Sequence, residues 1–308
     1  NLAFVFPGQG SQKIGMLSEL AEFNSIVEDT FSQASEVLGY DLWKMSQEGS
    51  QEQINLTERT QPLLLASSVA VWRVWMDKNG AMPAVLAGHS LGEWSALVCA
   101  GAVKFEDAVG IVRSRGALMQ DAVPVGIGAM AAIIGLDDES ICQSCDDARG
   151  DEVVDAVNFN APGQVVIAGS ADAVGRAIEL CKAAGAKRAL PLPVSAPFHT
   201  SLMAPAAKGL TEQVRSVMFS APEIPVIHNV HGQSESDPAV IKKLMLEQIY
   251  SPVRWVDCVL ELRRRGAEQF VECGPGRVLS GLSKRIDREI VSFSTDDVAS
   301  LKNALAAV

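Results

Sequence analysis

The sequence predicts an α/β fold: a large parallel-sheet core interrupted by a smaller βαββαβ unit. Three observations carry this expectation. Short apolar runs alternate with longer stretches of helical spacing through most of the 308 residues. Several of those runs end in glycine or polar residues, as strands do where they deliver a site. Between residues 125 and 197 the order changes to strand, helix, strand, strand, helix, strand. A chain of this length can fill one large core together with a smaller one.

The elements follow in order. "LAFVF", residues 2–6, is a short buried strand running into the glycine turn "FPGQGSQ". Residues 61–80, "QPLLLASSVAVWRVWMDKNG", have helical spacing, with proline near the start and glycine at the end. "AVLAGHS" (84–90) is a strand, and "GEWSALVCAGA" (92–102) is the helix it enters. Residues 105–123 form another helix.

The inserted unit comprises strand "AMAAIIG", helix "DDESICQSCDDAR", strand "VVDAVNF", strand "QVVIAGS", helix "ADAVGRAIELCKAAGA" and strand "KRALPLPV". This is the order of a ferredoxin-like split βαβ arrangement. The turn "NAPG" (160–163) supplies its hairpin. The expected division is a large unit of residues 1–124 and 198–308 with a small one at 125–197. The large unit resumes with strands in "IPVIHNV" (224–230) and "EQFVECGPG" (268–276).

Composition narrows the function classes. A net charge of −11 argues against nucleic acid, and any acidic partner must meet a local basic patch. No apolar run reaches the roughly 18 residues that a membrane helix needs, and the first residues do not read as a signal peptide. Six scattered cysteines fit reduced thiols in a cytoplasmic protein. Cys142 and Cys145 form a C-x-x-C with no second pair and no nearby histidine, so no metal site is expected. No heptads argue for assembly, and a monomer is expected.

The chemistry gathers at "LAGHSLGEWSAL". A G-x-S-x-G that follows an apolar strand and opens a helix is the context of a nucleophile elbow. It exposes the Ser90 hydroxyl above a helix N-terminus, whose free N–H groups and dipole stabilise an oxyanion. A serine nucleophile needs a base, and the chain has four histidines. His89 is adjacent and would point to the other side of the turn. His199 follows the inserted unit, where a cleft would lie, and is favoured on position. His228 and His231, near a strand end, stay open as structural residues or alternatives. No aspartate stands out as a third member, so a dyad with a carbonyl orienting the imidazole is expected. "FPGQGSQ" lacks the spacing and lysine of a phosphate loop and reads as a tight turn or as backbone approaching a substrate oxygen beside Gln9.

Eight segments in order, "FPGQGSQ", "TQPLL", "GHSLGEWSAL", "RSRGALMQ", "NFNAPGQVVIAG", "PVSAPFH", "YSPVRW" and "ECGPGRVL", resemble the malonyl-CoA:acyl carrier protein transacylase family. The likeness covers nearly the whole chain. It implies an α/β-hydrolase-like core with the ferredoxin-like insert, Ser90 as the acylated nucleophile and His199 as its base. It implies that the Gln248 carbonyl orients the imidazole, and that Gln9 and the Leu91 N–H form the oxyanion hole. Arg115 would hold the malonyl carboxylate, because a fork-shaped guanidinium suits a carboxylate inside a cleft. Phe198 would match the bulky residue of malonyl-selective members. The substrates implied are malonyl-CoA and an acidic acyl carrier protein bearing phosphopantetheine, with no further cofactor. The carrier calls for a basic rim, for which Lys187, Arg188, Arg263, Arg264, Arg265, Lys284 and Arg285 are candidates. Two rivals remain at this stage: a serine esterase or thioesterase on the same core, and a non-catalytic carrier-docking module.

Overall fold

The strand Leu2–Phe6 (β1) shows how the larger unit is built. All five residues are buried, yet they face two different cores. Leu2, Phe4 and Phe6 enter one apolar cluster, while Ala3 and Val5 enter another. Alternate side chains leave opposite faces of a strand, so β1 lies inside three layers and reads as a continuous apolar run. Val85–Gly88 (β2) repeats the division, with Leu86 on one side and Val85 and Ala87 on the other.

The computed structural model describes residues 1–194 and 196–308; Ser195, within "PVSAPFH", lies outside them. The remaining strands are Gly128–Ile134 (β3), Val154–Ala161 (β4), Gln164–Ser170 (β5), Arg188–Pro191 (β6), Val226–Ile227 (β7), Gln269–Glu272 (β8) and Val291–Ser294 (β9). The large sheet has the order β7-β2-β1-β8-β9 and every pair in it is parallel. One face carries the helices Ile26–Leu38, Thr57–Asp77, Phe105–Asp121 and Ala204–Ser216, and the other carries Trp255–Arg264 and Val278–Ile286. Parallel strands need such crossovers, and helices on both faces are the result. The fold is the expected α/β core with its parallel sheet.

The four antiparallel strands run in the order β4-β5-β3-β6, with the helices Asp138–Arg149 and Ala171–Ala183 between strands. That is the split βαβ arrangement read from the sequence. β4 and β5 are joined at Pro162 and Gly163, where Gly163 takes φ 73°, a conformation that favours glycine. The helix-covered face has its own core, which includes Ile133, Ile141, Val154, Ile167 and Cys181. The opposite face sends Met130, Val157, Val166 and Ala168 into the main cluster, so the small sheet lies over the large unit. Cys145 belongs to the small core, and burial pushes its thiol up to about 12. Together with Cys142 it is a pair of helix residues.

Two expectations shift, and one strand goes unannounced. The long helix spans Thr57–Asp77 and runs through Pro62, which the sequence placed at the helix start. Thr57, Thr60, Gln61 and Pro62 are all buried, so packing holds a turn that local preference alone would not. The strand in 224–230 shrinks to two residues, because the chain then turns back to bond His228 N–H to the Gln233 carbonyl. The edge strand β9, half polar, had no apolar run to announce it. Among the described residues no helix is long and apolar enough to cross a membrane.

Candidate active site

Gly88 ends β2 and Gly92 opens the helix Gly92–Cys99. A Cβ on Gly88 would fall inside the backbone of Gly92, and one on Gly92 would press on the Phe6 carbonyl. Only glycine at both positions lets strand and helix meet this closely. Between them Ser90 is forced to φ 51°, the left-handed region, which costs a non-glycine residue about 1–3 kcal/mol. The strain is held by Asn229, whose Oδ1 accepts the Ser90 N–H at 2.8 Å while its Nδ2 donates to the Gly88 carbonyl at 2.7 Å. The Leu91 N–H, at the helix cap, donates to no group among the described residues. It lines a cavity of about 500 Å³ together with Ser90, Gln9, Arg115, Phe198 and His199.

His199 also takes a positive φ, 64°. Its Nε2 lies 2.8 Å from Ser90 Oγ and its Nδ1 2.8 Å from the Gln248 carbonyl oxygen. A carbonyl only accepts, so Nδ1 carries the proton and Nε2 is left to accept from the serine. Burial, and after it the Arg115 charge, lower the His199 pKa to about 3. The ring is therefore neutral across physiological pH.

Arg115 is 1% exposed on the helix Phe105–Asp121. The neighbouring Gly116 packs so closely on the Thr57 carbonyl that a Cβ there would clash. This brings Gln61 alongside. Arg115 Nη1 donates to Gln61 Oε1 at 2.8 Å, and Nη2 to Gln248 Oε1 at 2.8 Å. Nη2 also reaches Ser90 Oγ at 3.4 Å, and Nε has no partner among the described residues. Burial lowers the Arg115 pKa to about 10, which still leaves it charged at neutral pH, while nearby Glu93 works in the opposite direction. No carboxylate pairs with this guanidinium among the described residues. A buried guanidinium beside a serine, with no carboxylate in direct contact, could receive an anion.

The structure thus brings Ser90, His199, Gln248, Arg115, Gln9, Leu91 and Phe198 to one cavity or its immediate wall. The other histidines are bonded elsewhere, although His89 also lines the cavity. His89 Nε2 bonds Asn160 Oδ1 of β4 at 2.7 Å. His228 is fully buried with Nδ1 2.5 Å from Glu93 Oε1, and His231 accepts from the Gln233 N–H. Neither His228 nor His231 lines the cavity.

Sequence reasoning missed Gln61, Glu93, Asn160 and Asn229. Gln61 and Glu93 stand in quoted motifs, but polar residues within helices carry no local sign that they will be buried.

The basic rim divides. Arg263 pairs with Asp287 and Glu289, and Arg264 and Arg265 with Glu261. All three precede β8 at the edge where Glu268 N–H meets the Asn1 carbonyl, whereas Ser90 lies at the other edge, beyond Phe6 and Gly88. That is a full strand length away, and the triplet does not border the cavity. Lys187 and Arg188 are exposed at the start of β6, and Arg285 bonds Gln164 beside the β4–β5 turn. Lys187 packs on Gly135, which neighbours Gly163 of the same turn.

A serine on a strand-turn-helix elbow, a neutral imidazole and an N–H with no acceptor among the described residues are together what acyl transfer through a serine would use. Comparisons with known proteins agree. The acyl transferase domain family matches residues 3–299. The malonyl CoA-acyl carrier protein transacylase of Salmonella typhimurium is 54% identical over 303 residues, covering 98% of each chain. An acyl carrier protein S-malonyltransferase from Vibrio cholerae superposes with a TM-score of 0.97 at 58% identity, over 98% of this chain and 99% of that one. A malonyl-transacylase solved in complex with its type II PKS acyl-carrier protein superposes with a TM-score of 0.99 at 52% identity over the whole of both chains. The chain belongs to the malonyl CoA-acyl carrier protein transacylase family.

Proposed function

We propose that the protein transfers a malonyl group from malonyl-CoA to the phosphopantetheine thiol of an acyl carrier protein, through a malonyl ester on Ser90. The observation that carries this reading is the buried, unpaired Arg115 within 3.4 Å of the Ser90 hydroxyl. A plain esterase for neutral acyl groups has no use for such a charge. Arg115 takes the malonyl carboxylate, exchanging its neutral amide partners for a charge-assisted pair, and Phe198 bounds the acyl pocket.

The reaction runs in two halves. His199 Nε2 takes the Ser90 proton as the oxygen attacks the thioester carbon. The tetrahedral oxyanion rests between the Leu91 N–H and Gln9; one such donor is worth about 10²–10³-fold in rate. The C–S bond breaks, and the CoA sulfur leaves with the proton held by His199. The carrier thiol then enters, gives its proton to His199 and attacks the ester carbon; the bond between that carbon and the Ser90 oxygen breaks, and the oxygen takes the proton back from His199. The Gln248 carbonyl keeps the imidazole in one tautomer throughout, the role an aspartate fills in a triad.

No metal or further cofactor is required by these steps. Lys187 and Arg285, near the β4–β5 turn, with Arg188 and Lys284 next to them in sequence, are the basic surface offered to an acidic carrier, though they too lie outside the cavity lining. The six cysteines, none in a disulfide, suit a reducing compartment such as the cytoplasm, and the protein works as a monomer.

Intact-protein mass spectrometry tests the reading. Mixed with malonyl-CoA, the protein gains one malonyl group, Ser90→Ala gains none, and added carrier bearing phosphopantetheine discharges the adduct. An adduct that persists in Ser90→Ala, or that only water can discharge, rejects it.

A further inference from the structure

Glu93 stands three residues after the serine, on the first turn of the helix Gly92–Cys99, and is wholly buried. It does not line the cavity. Its Oε1 accepts the His228 Nδ1–H at 2.5 Å, and its Oε2 accepts the Asn229 N–H at 3.1 Å and the Gln248 Nε2–H at 2.8 Å. The second Nε2 hydrogen of Gln248 goes to the Ser90 carbonyl at 2.9 Å. With both acceptors on that side, the amide of Gln248 has one orientation. Its Nε2 faces Glu93 and Ser90, and its Oε1 is aimed at Arg115 Nη2. Reversed, the amide would turn its NH₂ toward a guanidinium that has only hydrogens to offer. The same carboxylate fixes the Asn229 backbone, and Asn229 holds the Ser90 elbow.

We propose that Glu93 is a positioning residue that locks the Gln248 amide, and through it sets the aim of Arg115 at the acyl carboxylate. The inference rests on the reading of Arg115 given above. Glu93 touches no reacting atom; it acts through Gln248. Glutamine at position 93 would keep the volume but lose the charge; its NH₂ can be met by His228 only if the imidazole moves its proton to Nε2, a buried atom with no partner among the described residues, and in any other arrangement one donor faces another. Hydrogen bonds to charged groups are worth enough that losing one shifts an equilibrium by about tenfold or more.

The test measures Ser90 acylation rates with malonyl-CoA and acetyl-CoA, the second of which has no carboxylate for Arg115. Glu93→Gln should raise KM for malonyl-CoA and lower the malonyl-to-acetyl preference by about tenfold. Gln248→Ala, which removes the amide but keeps the backbone carbonyl behind His199, should lower the preference comparably. Adding Glu93→Gln to it should then change the preference little, because coupled residues are non-additive. Equal losses on both substrates, or losses that add in the double variant, overturn the proposal. If Glu93→Gln does not fold, Gln248→Ala decides alone: an unchanged preference there also overturns it. Failure of the wild type to form a malonyl adduct would instead reject the reading of the site itself.

Discussion

Arginines at the two edges of the large sheet behave in opposite ways. At the edge where β1 and β8 begin, Arg263, Arg264 and Arg265 are matched by Asp287, Glu289 and Glu261. At the edge where β1 and β2 end, Arg115 is buried more deeply than any of them and is met by the amide oxygens of Gln61 and Gln248 and by the Ser90 hydroxyl, with no carboxylate partner among the described residues. The first group is balanced within the fold. Under the proposed function, the second keeps its charge for the acyl carboxylate. Ligands of open α/β sheets bind beyond the carboxyl ends of the strands, and the unbalanced arginine lies at that end.

Substitutions at the two edges should separate accordingly. The largest effect belongs to Arg115→Ala, which should lower kcat/KM for malonyl-CoA by about 10²–10³-fold, the usual cost of truncating one partner of a buried charge pair. Replacing Arg263, Arg264 and Arg265 together by glutamine should leave acyl transfer unchanged. It should lower the melting temperature by several degrees, because Glu261, nearly buried, loses the partners that hold its pKa down at about 2; an unpaired buried group costs about 1–3 kcal/mol. A scanning calorimeter and a transfer assay on one sample check both halves.

The smallest effect concerns pH. The folded His199 resists protonation down to about 3 through burial and the Arg115 charge, while in the unfolded chain a histidine titrates near 6.5. Between those values the unfolded state binds more protons, so this group makes stability rise with pH across the window and contributes no slope above it. Urea unfolding of wild type and His199→Gln should therefore show the wild type losing ground as pH falls from 7 to 5, by at most about 1.4 kcal/mol per unit. A constant gap between the two would contradict the buried, uncharged imidazole.

Much of this was legible in the sequence because its signals are local. A run such as "LAFVF" needs no partner to be read as a strand, and the two glycines around Ser90 announce a turn that excludes every side chain. β5, Gln164–Ser170, is bounded as the apolar run predicts. His199 is weaker, favoured by its place beside the insert, and the structure adds that its ring lies between Ser90 and the Gln248 carbonyl. What stayed hidden is what depends on distant pairing. Glu93 reads locally as an acid near a helix N-terminus, yet its partners His228, Asn229 and Gln248 come from another part of the chain. The arginine triplet reads as a basic patch, and only the fold reveals the acids that neutralise it and the edge on which it sits.

The difference between the two edges comes down to what Arg115 is for. The most direct measurement is the ratio of Ser90 acylation rates for malonyl-CoA and acetyl-CoA in the wild type and in Arg115→Ala. A guanidinium held for an acyl carboxylate predicts a strong malonyl preference that collapses when Arg115 is removed, with the acetyl rate changed far less. A preference that survives the substitution would contradict it and leave Arg115 as part of the scaffold.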